Sequence, residues 1–281
     1  MTVLDAAVKA DEPVGRFTAF TRDTIVKSNE AVNGDYRLLV VSAPEEILNC
    51  TPGQFFHLLC PSEGADHPYL RRPMSIYGYD RARGELQFLY KVTGAGTRGL
   101  ATLTPGAQLN VFGPLGRGYS IAPDHSRIML VARGVGLATL APLAQQARDQ
   151  DCELVAVCSA RSPDMLLSVD LFRDMGAKVI TLTDAEGTSG TQNLQHVIEA
   201  EVEGQGVDAF YTCGSNRILR LLQTLSRRFD IPGQIALEQQ MACGLGMCQC
   251  CVRSFDRAGR FVQERVCREG PVFDLQEALS C

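Results

Sequence analysis

No stretch of this 281-residue chain strings together enough apolar residues to cross a membrane as a helix. Its first residues, M-T-V-L-D-A-A-V-K-A-D-E-P, lack the basic start and apolar run of a secretory signal. Basic residues are in short supply: 27 lysines and arginines stand against 32 aspartates and glutamates, a net charge of −5. That balance gives no support for nucleic-acid binding, and no helix-turn-helix pattern is found. Histidine is scarce. His57, His67, His125 and His196 are scattered, form no cluster and read as surface or structural residues. There is no long repeat and no low-complexity segment. These absences lead us to expect a cytoplasmic protein of one large or two ordinary domains with small appendages.

What the chain does have is cysteine, eleven in all. In a reducing compartment these serve as ligands or buried small hydrophobes, not disulfides. Residues 241–252 read M-A-C-G-L-G-M-C-Q-C-C-V, and Cys243, Cys248, Cys251 and Cys267 fall in the pattern C-x4-C-x2-C-x15-C. This is the spacing of plant-type [2Fe-2S] sites, where three thiolates come from one tight loop and the fourth returns from a later segment. Gly244 and Gly246 let the backbone curl closely around such a centre. Zinc is the competing reading, but zinc sites more often use two C-x2-C pairs, and only one is present. Cys250, next to Cys251, reads as a neighbour and not a ligand.

The fold class follows from two rhythms. Short strands separated by turn signals are expected over residues 15–27, 36–42, 54–60, 70–79, 85–92 and 108–112, a small antiparallel β-barrel. From residue 127 strand and helix alternate: strands at 127–131, 153–158, 178–182, 209–213 and 235–237, helices at 137–150, 168–175, 193–203 and 216–229. That is a parallel-sheet α/β domain, whose ligands sit beyond the C-terminal ends of the strands. The expected division is a lead-in over 1–14, a β domain over 15–120, an α/β domain over 121–237 and a cysteine-rich domain over 238–281.

Two stretches of the barrel suit a diphosphate. Arg71-Arg72-Pro73-Met74-Ser75-Ile76 sets a planar guanidinium beside a hydroxyl and backbone N–H groups. Residues 89–98, L-Y-K-V-T-G-A-G-T-R, carry an aromatic-bearing strand into a glycine-rich turn that opens a short helix over 97–103. Residues 113–118, G-P-L-G-R-G, make a rigid connector to the second domain.

Taken in order, R-R-P-M-S-I, Y-K-V-T-G-A-G-T, G-P-L-G-R-G, a strand with G-V-G, the cysteine pattern and E-G-P-V-F at 269–273 resemble the electron-transfer subunits of class 1B dihydroorotate dehydrogenase, in the ferredoxin reductase superfamily. The resemblance runs from about residue 15 to 275. It implies an FAD-binding first domain using Arg72, Pro73, Met74, Ser75, Leu89, Tyr90, Lys91, Gly96 and Thr97. It implies an NAD(P)H-binding second domain using Gly134 and Gly136, with Cys213 facing the nicotinamide. It implies a [2Fe-2S] cluster on the four cysteines. The implied partner is an FMN-containing catalytic flavoprotein subunit in a hetero-oligomer serving pyrimidine biosynthesis. A flavin between a two-electron donor and a one-electron cluster is what the chemistry requires.

The chain departs from that pattern in the nucleotide turn. Ala132-Arg133-Gly134-Val135-Gly136 stands where three glycines are usual, and Arg133 either crowds the site or adds a phosphate contact. Cys213-Gly214-Ser215-Asn216 replaces C-G-P, leaving Cys213 either beside the nicotinamide or as a buried strand-end thiol. Ala160-Arg161-Ser162 ends the second strand with no acidic residue to grip a ribose, which suits a 2′-phosphate. Cys50, Cys60, Cys152, Cys158 and Cys281 read as unliganded, and Asp184 with Glu186 as a solvated loop. A paralogous reductase subunit serving a different flavoprotein or hydrogenase-type partner is the alternative reading. A non-catalytic redox sensor is the alternative from another class.

Overall fold

The structure is a computed structural model and describes residues 18–280. The lead-in at 1–14, the first residues of the strand expected at 15–27, and Cys281 lie outside the described residues. The first part is a seven-stranded antiparallel sheet built from β1 (Phe20–Ala31), β2 (Tyr36–Ser42), β3 (Phe55–Leu58), β4 (Arg72–Ser75), β5 (Gly78–Asp80), β6 (Glu85–Lys91) and β7 (Gln108–Leu115). Its order is β4-β3-β7-β1-β2-β6-β5. Alternation along the strands turns Val26, Leu39, Val41, Phe88 and Val111 into one core.

The stretch expected as one strand over 70–79 is two. Pro73 has no N–H to give, and β4 pairs on one side only, with β3, at the sheet's edge. Just two residues, one of them the fully buried Ile76, separate β4 from β5, which pairs with β6 at the opposite edge. Opposite edges joined by two residues must lie close together, so the sheet curls into a half-barrel. A short helix α1 (Glu45–Leu48), not foreseen from the sequence, inserts Ile47 and Leu48 into the core. Helix α2 (Ala95–Ala101) begins two residues before the expected start.

The second part alternates as expected: β8 (Arg127–Arg133), α3 (Gly136–Asp149), β9 (Glu153–Ala160), α4 (Val169–Asp174), β10 (Lys178–Thr183), α5 (Thr191–Gln205), β11 (Ala209–Cys213), α6 (Asn216–Phe229) and β12 (Gly233–Ala236). The strands β10-β9-β8-β11-β12 are parallel. β8 and β9 are buried along nearly their whole length, as a sheet covered on both faces demands. Helix α6 buries Ile218, Leu219, Leu222 and Leu225 and keeps its arginines outward.

The cysteine-rich tail is more tightly bound than an appendage. After its loop come a hairpin, β13 (Val252–Arg257) with β14 (Arg260–Arg265), and then β15 (Val272–Asp274). β15 is the sixth strand of the second sheet, antiparallel to β12, with Ile235 opposite Phe273. The connector after β7 meets it there: Arg117 N–H donates to the Gly270 carbonyl at 2.5 Å and Leu237 N–H to the Pro271 carbonyl at 2.9 Å. Tyr119 locks the same junction. Its buried hydroxyl donates to the Thr212 carbonyl at 2.7 Å and accepts from Ala236 N–H at 3.1 Å. Tyr119→Phe strands both groups in the interior, and a loss of about 1–3 kcal/mol is expected. A lowered urea midpoint checks it.

Candidate flavin and iron-sulfur site

A cavity of about 300 Å³ opens between the two sheets. From the first part it takes Pro73, Met74 and Ser75 of β4, Leu89, Tyr90 and Lys91 of β6, and Thr97 of α2. Seven of the residues singled out for FAD thus line one space. Tyr90 is fixed by its hydroxyl, which donates to Asn29 Oδ1 at 3.0 Å. Lys91 pairs with Asp35 at 2.8 Å.

Arg72 and Gly96 do not line the cavity but meet beside it. A β-carbon on Gly96 would stand 2.8 Å from the Arg72 side chain, so glycine is what lets the guanidinium stem lie over the turn. The two arginines of the motif divide their work. Arg71 points inward and bonds to the carbonyls of His57 and Asn110, holding β3 to β7, while Arg72 is the one beside the turn. The Thr97 hydroxyl accepts from Thr93 and Gly94 N–H and donates to the Gly94 carbonyl, so it shapes the turn itself.

The remaining walls were not foreseen from the sequence. Phe55 of β3, Val135, Ala138 and Thr139 of the α3 start, and Leu237, Glu238, Gln239, Met241 and Pro271 of the tail close the space. Burial holds the Glu238 carboxyl above its ordinary range. Cys213 ends β11 fully buried. Burial, with Glu238 adding to it, pushes its thiol up to about 12, against a hydrogen bond with Thr139. It is thus a neutral strand-end thiol, next to two residues of the cavity wall.

At the nucleotide turn, Gly134 has φ +57°. A β-carbon on Gly136 would come 2.7 Å from the Cys213 carbonyl oxygen, so glycine sets how closely α3 approaches β11. Arg133 reaches across the end of β9. Its guanidinium bonds to Ser159 Oγ at 3.1 Å, to the Ala160 carbonyl at 3.3 Å and to Asp184 Oδ2 at 2.6 Å. Asp184 is therefore an ion-pair partner, not merely solvated, and Glu186 accepts from the Thr183 hydroxyl within the same loop. The Arg133 guanidinium holds Asp184 below the usual carboxylate range, with the Ser189 hydroxyl assisting.

The four cysteines sit on the loop after β12 and on the segment after β14. Electrostatically the strongest partners are Cys248 for Cys243 and Cys251 for Cys267, with Cys243 acting on Cys267 as well. Backbone N–H groups point at the sulfurs: Leu245 at Cys243 (3.3 Å), Gly246 at Cys267 (3.2 Å) and Cys267 at Cys251 (3.4 Å). Burial opposes ionisation of Cys243, but N–H groups of Cys248 and Leu245 outweigh it and lower its pKa. Burial, then Cys251, pushes Cys267 up. Among the described residues no three ligand side chains gather as they would around one ion. Two thiol pairs with N–H donors fit two irons better than one zinc, since each iron takes one pair. Cys251 is buried and Cys250 exposed. Cys50, Cys60, Cys152 and Cys158 are buried and far from forming such a set.

A curled antiparallel sheet, a parallel sheet and a cavity between them define the flavin-dependent reductase fold. A solved structure, that of an NADH-dependent reduced ferredoxin-NADP oxidoreductase studied for flavin-based electron bifurcation, has this fold. It superimposes with a TM-score of 0.76 at 23% identity, over 92% of this chain and 90% of that one. The model of the oxidoreductase FAD-binding domain matches residues 23–119, and that of the iron-sulfur cluster binding domain of dihydroorotate dehydrogenase B matches 238–279. The electron transfer subunit of dihydroorotate dehydrogenase B (NAD(+)) from Desulforamulus reducens is 32% identical over 82% of this chain and 87% of that protein. Its counterpart from Caldanaerobacter subterraneus is 34% identical over 81% and 87%, and one from Bacillus cereus 31% over 91% and 96%. The chain belongs to the family of dihydroorotate dehydrogenase B electron transfer subunits.

The loop geometry makes one residue a sharp test. Gly246 has φ +79°, and a β-carbon there would lie 2.7 Å from Arg268 Cδ. Gly246→Ala is strained by about 1 kcal/mol in backbone alone and displaces the N–H that faces Cys267. Iron bound per chain, read by colorimetric assay, is expected to fall while flavin content is kept.

Proposed function

We propose that the chain accepts electrons from a nicotinamide nucleotide and delivers them to the FMN-containing catalytic subunit of a dihydroorotate dehydrogenase, in a cytoplasmic hetero-oligomer serving pyrimidine synthesis. FAD in the cavity and a [2Fe-2S] centre on Cys243, Cys248, Cys251 and Cys267 carry the electrons between. One observation supports this most. The tail residues that wall the cavity, Leu237 to Met241, run directly into Cys243, two residues further on. A short segment therefore spaces the two centres.

The division at 15–120, 121–237 and 238–281 follows the three roles. FAD, when bound, takes up a hydride and passes electrons on singly. The chain's own part is to bind, orient and exclude water. β4 and β6 give one wall, the α3 start the other, and Arg72 supplies positive charge beside the turn. Arg72→Ala is expected to weaken FAD binding by on the order of tenfold, the worth of one charge-assisted hydrogen bond. Flavin retained on a desalting column and measured by fluorescence checks this.

A second reading has support from Arg133. Its tie to Asp184 crosses the end of β9, where a dinucleotide would lie in such a sheet. Electrons would then enter from elsewhere, as in a paralogue with another partner. Anaerobic titration with NADH, and in parallel NADPH, separates the two. Bleaching of flavin and iron-sulfur absorbance by either nucleotide is expected. An oxidised spectrum that persists with both nucleotides would favour the second reading.

A further inference from the structure

His57 lies on β3 and is 1% exposed. Its Nε2 is buried and has no hydrogen-bond partner among the described residues. A buried nitrogen of this kind costs stability unless something accepts from it or donates to it. The imidazole does not point into the barrel core alone. A β-carbon on Gly244 would lie 3.1 Å from His57 Nε2 and 3.2 Å from Cε1, so the ring tip presses against the cysteine loop at the residue after Cys243. Leu115 flanks the same contact at 3.0 Å. Gly244 has φ +70°, a conformation that suits glycine and leaves no side chain between the ring and the loop.

β3 also ties this histidine to the flavin cavity. Phe55, two residues earlier and on the same face, lines that cavity, with its ring 5.7 Å from the imidazole. Burial, with Arg71 adding to it, lowers the His57 pKa to about 4. The ring is therefore neutral at neutral pH and carries a single N–H. Nε2 meets no hydrogen-bond partner among the described residues, oxygen or sulfur, while the loop it presses on carries the thiols of Cys243 and Cys248 on either side of Gly244.

We infer that His57 Nε2–H donates a hydrogen bond to a sulfur of the iron-sulfur centre, making His57 a positioning residue, contributed by the flavin-binding sheet, that raises the centre's reduction potential. The inference rests on the assignment of that centre to Cys243, Cys248, Cys251 and Cys267. The direction follows from charge. Reduction adds one negative charge to the centre, and a donor aimed at its sulfurs stabilises the reduced form more than the oxidised one. The role also explains why a polar ring is kept where an apolar one would pack without an orphaned nitrogen.

The test uses the intact, cluster-loaded protein. Chains grown with ring-¹⁵N histidine are reduced with dithionite and studied by pulsed electron paramagnetic resonance. A ¹⁵N coupling on the reduced-centre signal is expected, and its loss in His57→Phe assigns it. Redox titration of the same signal is expected to show about a tenfold less favourable reduction in His57→Phe, about 59 mV for one electron. His57→Gln, which keeps an N–H at similar reach, should recover most of that shift. An intact signal without ¹⁵N coupling in the unaltered protein overturns the inference, and needs no variant to fold. A coupling whose loss leaves the potential unchanged overturns the potential-setting role. Absence of any [2Fe-2S] signal overturns the centre's assignment instead, so the two failures are distinct.

Discussion

The arrangement depends on one close backbone contact, where the connector between the sheets meets the end of the cysteine segment. A β-carbon on Gly116 would lie 2.5 Å from the Gly270 carbonyl oxygen and 2.5 Å from Pro271 Cδ. Only glycine admits that approach, and its φ of +76° is one that other residues resist. From this contact the Arg117 N–H bonds to Gly270, Pro271 walls the cavity, and β15 enters the second sheet. Three parts that already share buried side chains, Phe55 and Leu115 with Ile235 and Phe273 among them, are thereby also fixed to one another through backbone atoms. Side-chain contacts alone would allow rotamer play between the cofactors. Electron transfer weakens steeply with distance, so a junction made of main chain serves the function directly.

The electrostatics of the cavity and of the sheet ends differ. Lys91, paired with Asp35, brings a charge to the cavity wall. Otherwise burial around the cavity acts against ionisation: Cys213 is pushed up to about 12, Glu238 is raised, and Tyr36, near Lys91, is raised as well. At the ends of β8, β9 and β10 the reverse holds. Arg133, Asp184 and Ser189 form a charged network on the surface where glycines usually leave bare backbone. Any anionic ligand there must compete with Asp184 for the guanidinium. An exposed pair of this sort is screened by solvent and weak, so exchange is easy.

Much of this was legible in the chain. Periodicity separates the curled sheet from the parallel one, and cysteine spacing separates iron from zinc, because both signals are local. What escaped reading is long-range. Phe55 and His57 look like ordinary strand residues, and only the pairing of β3 with β7 and the packing of Leu115 bring them to the cysteine loop. Glu238 opens the cysteine-rich segment in sequence, and only the fold makes it a buried wall of the cavity beside the α3 start. The strand expected over 70–79 failed because one run of residues serves two opposite edges of a curled sheet, turning at Ile76 and Tyr77. Histidines scattered in sequence gave no cluster, yet one of the four is placed by topology against Gly244, the residue following Cys243.

This placement bears on how the two sheets share work. Besides the backbone junction, β3 of the first sheet also reaches the cysteine loop. Its Phe55 faces the cavity and its His57 faces Gly244, so one four-residue strand touches both the cavity and the cysteine loop. Arg71 anchors that strand by bonding to the His57 carbonyl and to Asn110 on β7. The first arginine of the R-R-P-M-S motif therefore stabilises the strand that spans the two sites, while the second faces the phosphate turn. A motif that reads as a single diphosphate clamp divides, in three dimensions, into a guanidinium beside the glycine turn and a brace that holds β3 to β7.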